Sequence, residues 1–145
     1  MRRLFLDANV LFSSAHKRHS AQGLLIDFAE KQLIQAISSA YAFDEAQRNL
    51  ARKSPDALKL WSTITLVIGL APEPDREHLS WAEAQVAAKD APILASAALA
   101  KVDWLVTGDR RDFGHLFSTT QRGILIITPA EAIRILLFEL EESSD

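Results

Sequence analysis

The chain contains no cysteine among its 145 residues, and this absence limits the chemistry that it can perform. Without thiols it forms no disulfide bond, which fits the reducing environment of the cytoplasm, where we expect the protein to act. A metal ion would have to be held by oxygen or imidazole ligands, because thiolate ligands are missing.

Long apolar stretches are also missing. No run approaches the roughly 18 consecutive apolar residues of a membrane-spanning helix, so we expect no membrane partner. The short apolar run after the first arginines is interrupted by Asp7 and Asn9, which argues against a secretory signal. With 48 % hydrophobic and 24 % charged residues and no repeat or linker, residues 1–145 are predicted to form a single domain.

The chain has no excess of positive charge either, since its formal net charge is −3. This balance argues against a protein that binds nucleic acid through charge alone. It does not exclude a nuclease, because carboxylates in an active site lower the net charge of the whole chain. Small basic groups remain, among them Arg48 with its neighbours on one predicted helix and the pair Arg110 and Arg111.

Short apolar or β-branched runs predict five strands, and helical patterns occupy the segments between them. The predicted strands are residues 4–6, 33–37, 63–70, 104–106 and 124–127. Strands that alternate with helices are typical of βαβ units, so the sequence predicts an α/β fold with a parallel sheet. Ser39 and Thr128 are predicted to cap the helices that follow them.

Acidic residues follow the predicted strands at the places where an α/β protein binds its ligands. In open parallel sheets, ligands bind outside the carboxyl ends of the strands. Asp7 ends the first strand, and Asp109 follows the fourth. Asp90 starts the helix that leads to the fourth strand, and Glu45 lies early in the helix after the second. Four carboxylates from separate segments can therefore converge.

Such a cluster favours a divalent cation. Two carboxylates 4 Å apart repel each other by about 4 kcal/mol at an effective dielectric constant of about 20, so the cluster needs raised pKa values or a bound cation. Oxygen ligands suit Mg²⁺ or Mn²⁺ better than zinc. Because such a cation orients a phosphate and activates water, the pattern predicts hydrolysis of phosphodiesters. Arg110 or Arg111 would contact the phosphate backbone.

In these residues the chain resembles the PIN-domain ribonucleases, in particular VapC-type toxins of toxin–antitoxin pairs. The matching motifs are FLDANVLFS, SSAYAFDEAQRNL, KDAPILASAALAKVDWLVTGDRRDF and GILIITPAEAI. The resemblance covers nearly the whole chain. It implies a PIN-like three-layer sandwich, with a central parallel five-stranded sheet flanked by helices.

The resemblance also implies a function and a set of site residues. The implied activity is that of a Mg²⁺- or Mn²⁺-dependent endoribonuclease, with RNA as substrate, a homodimeric state and an antitoxin that occludes the active site. The implied catalytic and metal-binding acids are Asp7, Glu45, Asp90 and Asp109, with Asn9 and Thr107 in support. Arg48, Arg110 and Arg111 are the candidate phosphate contacts.

The sequence does not determine the roles of two acidic residues. Asp44 adjoins Glu45, and the phase of the helix decides which of them faces the site; the spacing from Glu45 to Arg48 matches the family better. Asp112 is either an outer ligand or a helix cap. His16 and His19 lie in a polar segment, which we expect to be mobile and to bind no zinc. Other side chains are predicted to be mainly core, namely Tyr41, Trp61, Trp81 and Trp104.

Two other functions compete with the ribonuclease. A haloacid-dehalogenase-like phosphatase would use Asp7 as a covalent nucleophile, but it would need a second acid where Asn9 stands. A catalytically inactive PIN-like domain would keep the sheet and bind only nucleic acid or a partner. The apolar last helix, or the segment 16–25, is predicted to contact a second protein chain.

Overall fold

The computed structural model describes residues 1–144, in which six strands form one sheet flanked by eight α-helices. The strands are β1 (Arg2–Leu6), β2 (Ile34–Ser38), β3 (Gly69–Leu70), β4 (Trp104–Val106), β5 (Thr120–Gln121) and β6 (Ile124–Ile127). The helices are α1 (Ala8–His16), α2 (Ala21–Glu30), α3 (Ala40–Lys53), α4 (Leu58–Thr65), α5 (Arg76–Glu83), α6 (Ala91–Ala100), α7 (Arg110–Phe113) and α8 (Pro129–Ser143).

The order of strands places β1 and β4 side by side at the centre of the sheet. Across the sheet the order is β3-β2-β1-β4-β6-β5, and β1 pairs in parallel with both β2 and β4. The chain builds one half of the sheet outward from β1 and the other half outward from β4. The strand order therefore reverses between β1 and β4, and this is the position at which α/β sheets bind ligands.

The two central strands are buried on both faces. In β1, Leu4, Phe5 and Leu6 have no exposed surface, and all three residues of β4 are buried as well. Continuous apolar strands of this kind require helices on each side of the sheet. The predicted α/β fold with a helix-flanked, mainly parallel sheet is therefore confirmed.

Helix caps begin several of the helices as predicted. The hydroxyl of Ser39 accepts a hydrogen bond from the backbone N–H of Ala42 at the start of α3. The hydroxyl of Thr128 accepts one from the N–H of Glu131 at the start of α8. These bonds satisfy N–H groups that a first helical turn leaves without partners.

The prediction of five strands is one strand short, although the five predicted strands are all present and pair in parallel. The sheet has a sixth strand, because β5 pairs antiparallel with β6 in a two-residue hairpin. Both turn residues, Arg122 (φ 50°) and Gly123 (φ 81°), have positive φ angles. This combination matches the twist of hairpin strands.

The strand predicted for residues 63–70 is also wrong over most of its length. Helix α4 continues to Thr65, and only Gly69–Leu70 pairs with β2. Trp61 and Ile64 lie one helical turn apart and are both buried against the core. Burial of one helical face therefore outweighs the strand preference of the β-branched residues.

Helix α1 was not predicted, and it shows that the segment that ends at His16 is helical. The helix starts directly after β1, and its residues Val10 and Leu11 are fully buried. His16 is its last residue and stacks on Phe12, with ring centroids 5.2 Å apart. The predicted polar, mobile segment is therefore in part an ordered helix end.

Helix α8 is only partly covered by the rest of the chain. It packs against α2 through a buried face that includes Ile133 and Leu136. Its outer face leaves Leu137 and Phe138 exposed, Phe138 to 60 %. Within residues 1–144, no helix combines the length and apolar character needed to cross a membrane.

Candidate active site

The carboxyl ends of β1 and β4 open onto an acidic pocket of about 410 Å³. The pocket is lined by Asp7, Asn9, Ser13, Gln22, Glu45, Asn49, Lys89, Asp90, Gly108 and Asp109. The structure therefore brings together the four predicted acids, which come from the end of β1, from α3, from the start of α6 and from the turn after β4.

The choice between Asp44 and Glu45 follows from the same geometry. Glu45 lines the acidic pocket, whereas Asp44 lines a separate depression with Gln47 and Arg48. Ala42 and Ala46 of the same helix are fully buried, so the phase of α3 is fixed. Of the two neighbouring acids, Glu45 is the one that the helix presents to the pocket.

Asp7 is the most deeply placed acid of the pocket, with 4 % of its surface exposed. Its Oδ2 accepts hydrogen bonds from Thr107 Oγ1 at 2.8 Å and from Asn9 Nδ2 at 3.0 Å. Its Oδ1 accepts one from the backbone N–H of Ala8 at 2.7 Å. Burial raises the pKa of Asp7 to about 6, although the bonds from Thr107 and Ala8 act in the opposite direction.

Asn9 ties the end of β1 to the turn after β4. Its side-chain N–H group donates to Asp7 and to Thr107 Oγ1, and its Oδ1 accepts the backbone N–H of Gly108 at 2.8 Å. A Cβ atom on Gly108 would lie 3.3 Å from that oxygen. Glycine therefore leaves room for the Asn9 amide, and the turn does not use the positive φ that glycine would allow.

Three carboxylates form a tight group, of which two line the pocket. Asp90, Asp109 and Asp112, hereafter the acid cluster, each offer an oxygen within 4.8 Å of the other two. Asp7 and Glu45 line the pocket without being members of this group. The cluster joins the start of α6 to α7, across 19 to 22 residues of sequence.

Asp90 is not explained by helix capping. It occupies the N-cap position of α6, yet its carboxylate makes no capping hydrogen bond. Asp109 does cap α7, because its Oδ1 accepts the N–H of Asp112 at 3.0 Å. The possibility that Asp112 is itself the cap is therefore wrong. Burial raises the pKa of Asp90 even though a lysine lies beside it.

That lysine, Lys89, was missed in the sequence. Its Nζ lies 2.6 Å from Asp112 Oδ2 and 3.1 Å from Asp90 Oδ2. These hydrogen bonds raise the pKa of Lys89, and the bond from Lys89 lowers the pKa of Asp112. The only sequence signal was a basic residue directly before a candidate ligand.

Tyr41 was predicted to be a core residue, but it lies at the surface of the molecule. The residue is 40 % exposed, and its hydroxyl donates to the backbone carbonyl of Lys89 at 2.7 Å. This bond connects the start of α3 to the segment that carries Asp90. Trp61 and Trp104 are buried as predicted, whereas Trp81 is only partly buried beneath Arg122.

The donors of the acid cluster fit a hard divalent cation. All of them are carboxylate oxygens, which Mg²⁺ and Mn²⁺ prefer. Because Mg²⁺ binds oxygen at about 2.0–2.1 Å, oxygens on opposite sides of the ion are about 4 Å apart. The oxygens of the cluster lie within 4.8 Å of one another, a range that a cation between them could bridge. Asp90 is buried and free of a capping role, so its carboxylate is available as a ligand.

Basic side chains border the pocket at two helices. Arg48 lies one turn beyond Glu45 on α3 and lines the neighbouring depression with Arg52. Arg110 and Arg111 form the first turn of α7, next to Asp109, and both are exposed. In the described part of the chain, neither of these two guanidinium groups makes a hydrogen bond or an ion pair, so both are available to a ligand.

Comparisons with known proteins agree with this architecture. A sequence model of the PIN domain matches residues 3–111. No curated protein sequence matches the chain. Among solved structures, the chain is similar to the crystal structure of VapBC2 from Rickettsia felis bound to a DNA fragment from their promoter, with a TM-score of 0.62 and 14 % identity. The match covers 87 % of this chain and 98 % of that chain, and at this identity it concerns the fold.

Proposed function

The chain belongs to the PIN domain family, and from this premise we propose that it is a metal-dependent endoribonuclease that hydrolyses RNA phosphodiester bonds. Residues 1–145 act in this proposal as one nuclease domain. The observation that carries the proposal is the convergence of Asp7, Glu45, Asp90 and Asp109 in one pocket where the strand order reverses. Domains of this family are generally nucleases, which supports hydrolysis of a nucleic acid.

In the proposed site, Asp90 and Asp109, with Asp112 beside them, would hold Mg²⁺ or Mn²⁺ together with Asp7 and Glu45 on the other walls of the pocket. When bound, the cation supplies Lewis acidity, which polarises a phosphate oxygen and lowers the pKa of a water molecule. The side chains of the protein fix the position of the cation. Their carboxylates come from separate elements of the fold, so the geometry of the pocket is set by the packing of the sheet and its helices.

Asn9 and Thr107 hold the Asp7 carboxylate in one orientation. Their hydrogen bonds to Oδ2 are supported in turn by the Gly108 N–H, which fixes the Asn9 amide. Arg48, Arg110 and Arg111 bind RNA phosphates in this proposal, because guanidinium groups form paired hydrogen bonds with phosphate oxygens. A misplaced ligand would slow the reaction even though its charge is retained.

We place this nuclease in a toxin–antitoxin pair of the VapC type, in the cytoplasm. The support for an antitoxin partner is the structural neighbour VapBC2, which was crystallised on a DNA fragment from their promoter. The support for a homodimer or an antitoxin contact is the outer face of α8, where Leu137 and Phe138 are exposed. Sedimentation that finds a monomer, with no binding to a protein encoded beside it, would count against both partners.

The phosphatase alternative is not favoured by the arrangement around Asp7. The residue two positions later, Asn9, is committed to hydrogen bonds with Asp7, Thr107 and Gly108. A protonated or ionised acid at this position would not reproduce them all. The amide therefore serves to orient Asp7, which fits a ligand better than a covalent nucleophile.

The test is cleavage of generic RNA in the presence of Mn²⁺, with and without a chelator, by the wild type and by Asp7→Asn. We expect cleavage by the wild type only, and none after chelation. Cleavage that continues in the chelator would reject the metal mechanism. Circular dichroism of the variant controls for loss of the fold.

A further inference from the structure

The ammonium group of Lys89 lies among the very oxygens that would bind a cation. Its Nζ contacts one carboxylate oxygen of Asp112 and one of Asp90, and these two residues belong to the acid cluster. The three carboxylates would otherwise repel each other, and the ammonium is the positive charge that the chain itself places against them. A divalent ion bound between Asp90 and Asp112 would take the position of the Lys89 ammonium group. The two cations therefore cannot occupy it at the same time.

We propose that Lys89 is a built-in counterion, which a divalent cation must displace from Asp90 and Asp112, and which thereby sets the affinity of the pocket for metal. The inference rests on the proposed function, because it takes the acid cluster as the metal site. It adds a residue whose side chain competes with the metal and does not bind it.

The side chain of Lys89 is able to leave while its backbone stays in place. The side chain is 65 % exposed, so the ammonium gains hydration when it moves into solvent. Its backbone is held by the Tyr41 hydroxyl at 2.7 Å, and the next residue, Asp90, donates its N–H to Ala87. Displacement therefore needs only rotations about the bonds of an unbranched side chain.

The exposure of the Lys89 side chain also determines how strongly its ammonium group competes with the divalent cation. Ion pairs that remain in contact with water contribute little to stability, so a doubly charged ion can break both contacts. The ammonium stays tethered to the wall of the pocket after it has been displaced, and there its charge can meet the phosphate of a substrate. The metal-bound pocket therefore carries two more positive charges than the apo pocket.

The first measurement compares metal affinities. Lys89→Met removes the ammonium and keeps the length of the side chain, and Lys89→Arg keeps the positive charge. Lys59→Met is the matched control, because Lys59 is an exposed lysine of α4 that does not line the acidic pocket. Isothermal titration calorimetry of the full chain with Mn²⁺ should give a Kd about fivefold lower for Lys89→Met than for the wild type. Lys59→Met should match the wild type, and Lys89→Arg should lie near it.

The second measurement follows the side chain itself. An amine-reactive reagent, with quantification of each modified lysine by mass spectrometry, should label Lys89 faster once Mn²⁺ saturates the wild type. The labelling of Lys59 should not change. This readout reports displacement and does not depend on catalysis.

The outcomes separate the inference from the function. Tighter Mn²⁺ binding by Lys89→Met, together with faster labelling of Lys89, supports the counterion. Equal or weaker binding by Lys89→Met, or unchanged labelling in the presence of bound Mn²⁺, overturns the inference and leaves the metal site intact. Absence of Mn²⁺ binding in the wild type and in every variant overturns the proposed function and the inference with it.

Discussion

Among residues 1–144, two groups of side chains have the composition of a metal site, but they differ in position and in their hydrogen-bond partners. One is the acid cluster, Asp90, Asp109 and Asp112. The other, hereafter the surface cluster, consists of Asp75, Glu77 and His78, whose ligand atoms also lie within 4.8 Å of one another. The surface cluster comes from a single helix start, whereas the acid cluster joins two helices at the carboxyl edge of the sheet.

The members of the surface cluster already have local partners. Asp75 caps α5 by accepting the N–H of His78 at 2.8 Å, and it also contacts the His78 ring at 2.7 Å. Glu77 accepts two hydrogen bonds from Arg122, at 2.7 and 3.0 Å. Because Arg122 also lies over the ring of Trp81, this cluster connects the β5–β6 hairpin to α5.

The pKa shifts of the two groups record this difference. The N–H of His78 lowers the pKa of Asp75, and the hydrogen bonds from Arg122 lower the pKa of Glu77. In and beside the acidic pocket, burial raises the pKa of Asp7 and of Asp90, whereas the hydrogen bond from Lys89 lowers the pKa of Asp112. Proximity of acids is therefore not sufficient to indicate a site. Acids whose pKa is raised by burial, as for Asp7 and Asp90, are the ones that favour an added cation.

The largest effect is expected on catalysis, from Asp109→Asn compared with Glu77→Gln. The first change removes a proposed metal ligand and should lower the rate of RNA cleavage by at least about 100-fold. The second should leave the rate unchanged within about twofold, since Glu77 is remote from the pocket. Initial rates on a fluorescent RNA with Mn²⁺ measure both. Cleavage by Asp109→Asn at the parental rate would show that Asp109 is misassigned.

The next effect concerns the stability gained from metal. Mn²⁺ at about 100 times its Kd should add about 2.7 kcal/mol to the free energy of unfolding, which raises the Tm by roughly 5–10 °C. Asp90→Asn should lose most of this increment. Asp75→Asn removes a charge from the surface cluster but keeps a capping oxygen at the start of α5, and it should keep the increment. Differential scanning fluorimetry with and without Mn²⁺ measures the increase in Tm for each variant. Equal increases in both variants would contradict the distinction between the clusters.

The pH dependence of the free energy of unfolding should reveal the cost of burying the Asp7 carboxylate. Its pKa in the folded state, about 6, lies above the ordinary value of 3.8, so the folded state binds the proton more tightly than the unfolded state does. Without metal, the free energy of unfolding of the wild type should therefore fall as pH rises from about 4 to about 6, and should stay reduced above that range.

Asp7→Asn removes this ionisation. At pH 8 the variant should be more stable than the wild type by about 3 kcal/mol, and the advantage should vanish at about pH 3. Urea denaturation without metal at several pH values measures this difference. An advantage that is independent of pH would mean that the ionisation of Asp7 is not its cause.

The smallest effect is expected from the surface cluster. Arg122 lowers the pKa of Glu77, so their pair stabilises the fold above the ordinary pKa of glutamate and loses this contribution as pH falls through the lowered value. Because both side chains are exposed, Glu77→Gln should lower the Tm by less than about 2 °C at neutral pH. The deficit should disappear in acid, and Asp56→Asn is the control, because Asp56 is an exposed acid that makes no side-chain hydrogen bond or ion pair with residues 1–144. A deficit that persisted there would point to packing.

The parts of this site that the sequence predicts are those that follow directly from burial. The continuous apolar residues of β1 and β4 mark central strands, and so Asp7 and Asp109 are recognisable at their ends. The helical phase of α3 was harder to determine, yet the spacing from Glu45 to Arg48 indicated the acid that lines the pocket.

Other parts depend on contacts that no local pattern encodes. The two-residue strands β3 and β5 exist because a neighbouring strand offers hydrogen bonds, and their own side chains show no alternation. The position of Lys89 depends on Asp112, which folding brings beside it from 23 residues away. Local propensity therefore identified the edge of the sheet. The balance of charges within the pocket could be determined only from the folded structure.

The hydrogen bond from Thr107 to Asp7 joins residues 100 positions apart. During synthesis, the first strand therefore has no neighbour on one of its sides until β4 has left the ribosome. A nascent chain that stops earlier lacks both this strand and Asp109, so it cannot assemble the pocket. On the proposed function, a truncated product is harmless to cellular RNA, including the messenger from which it is being translated.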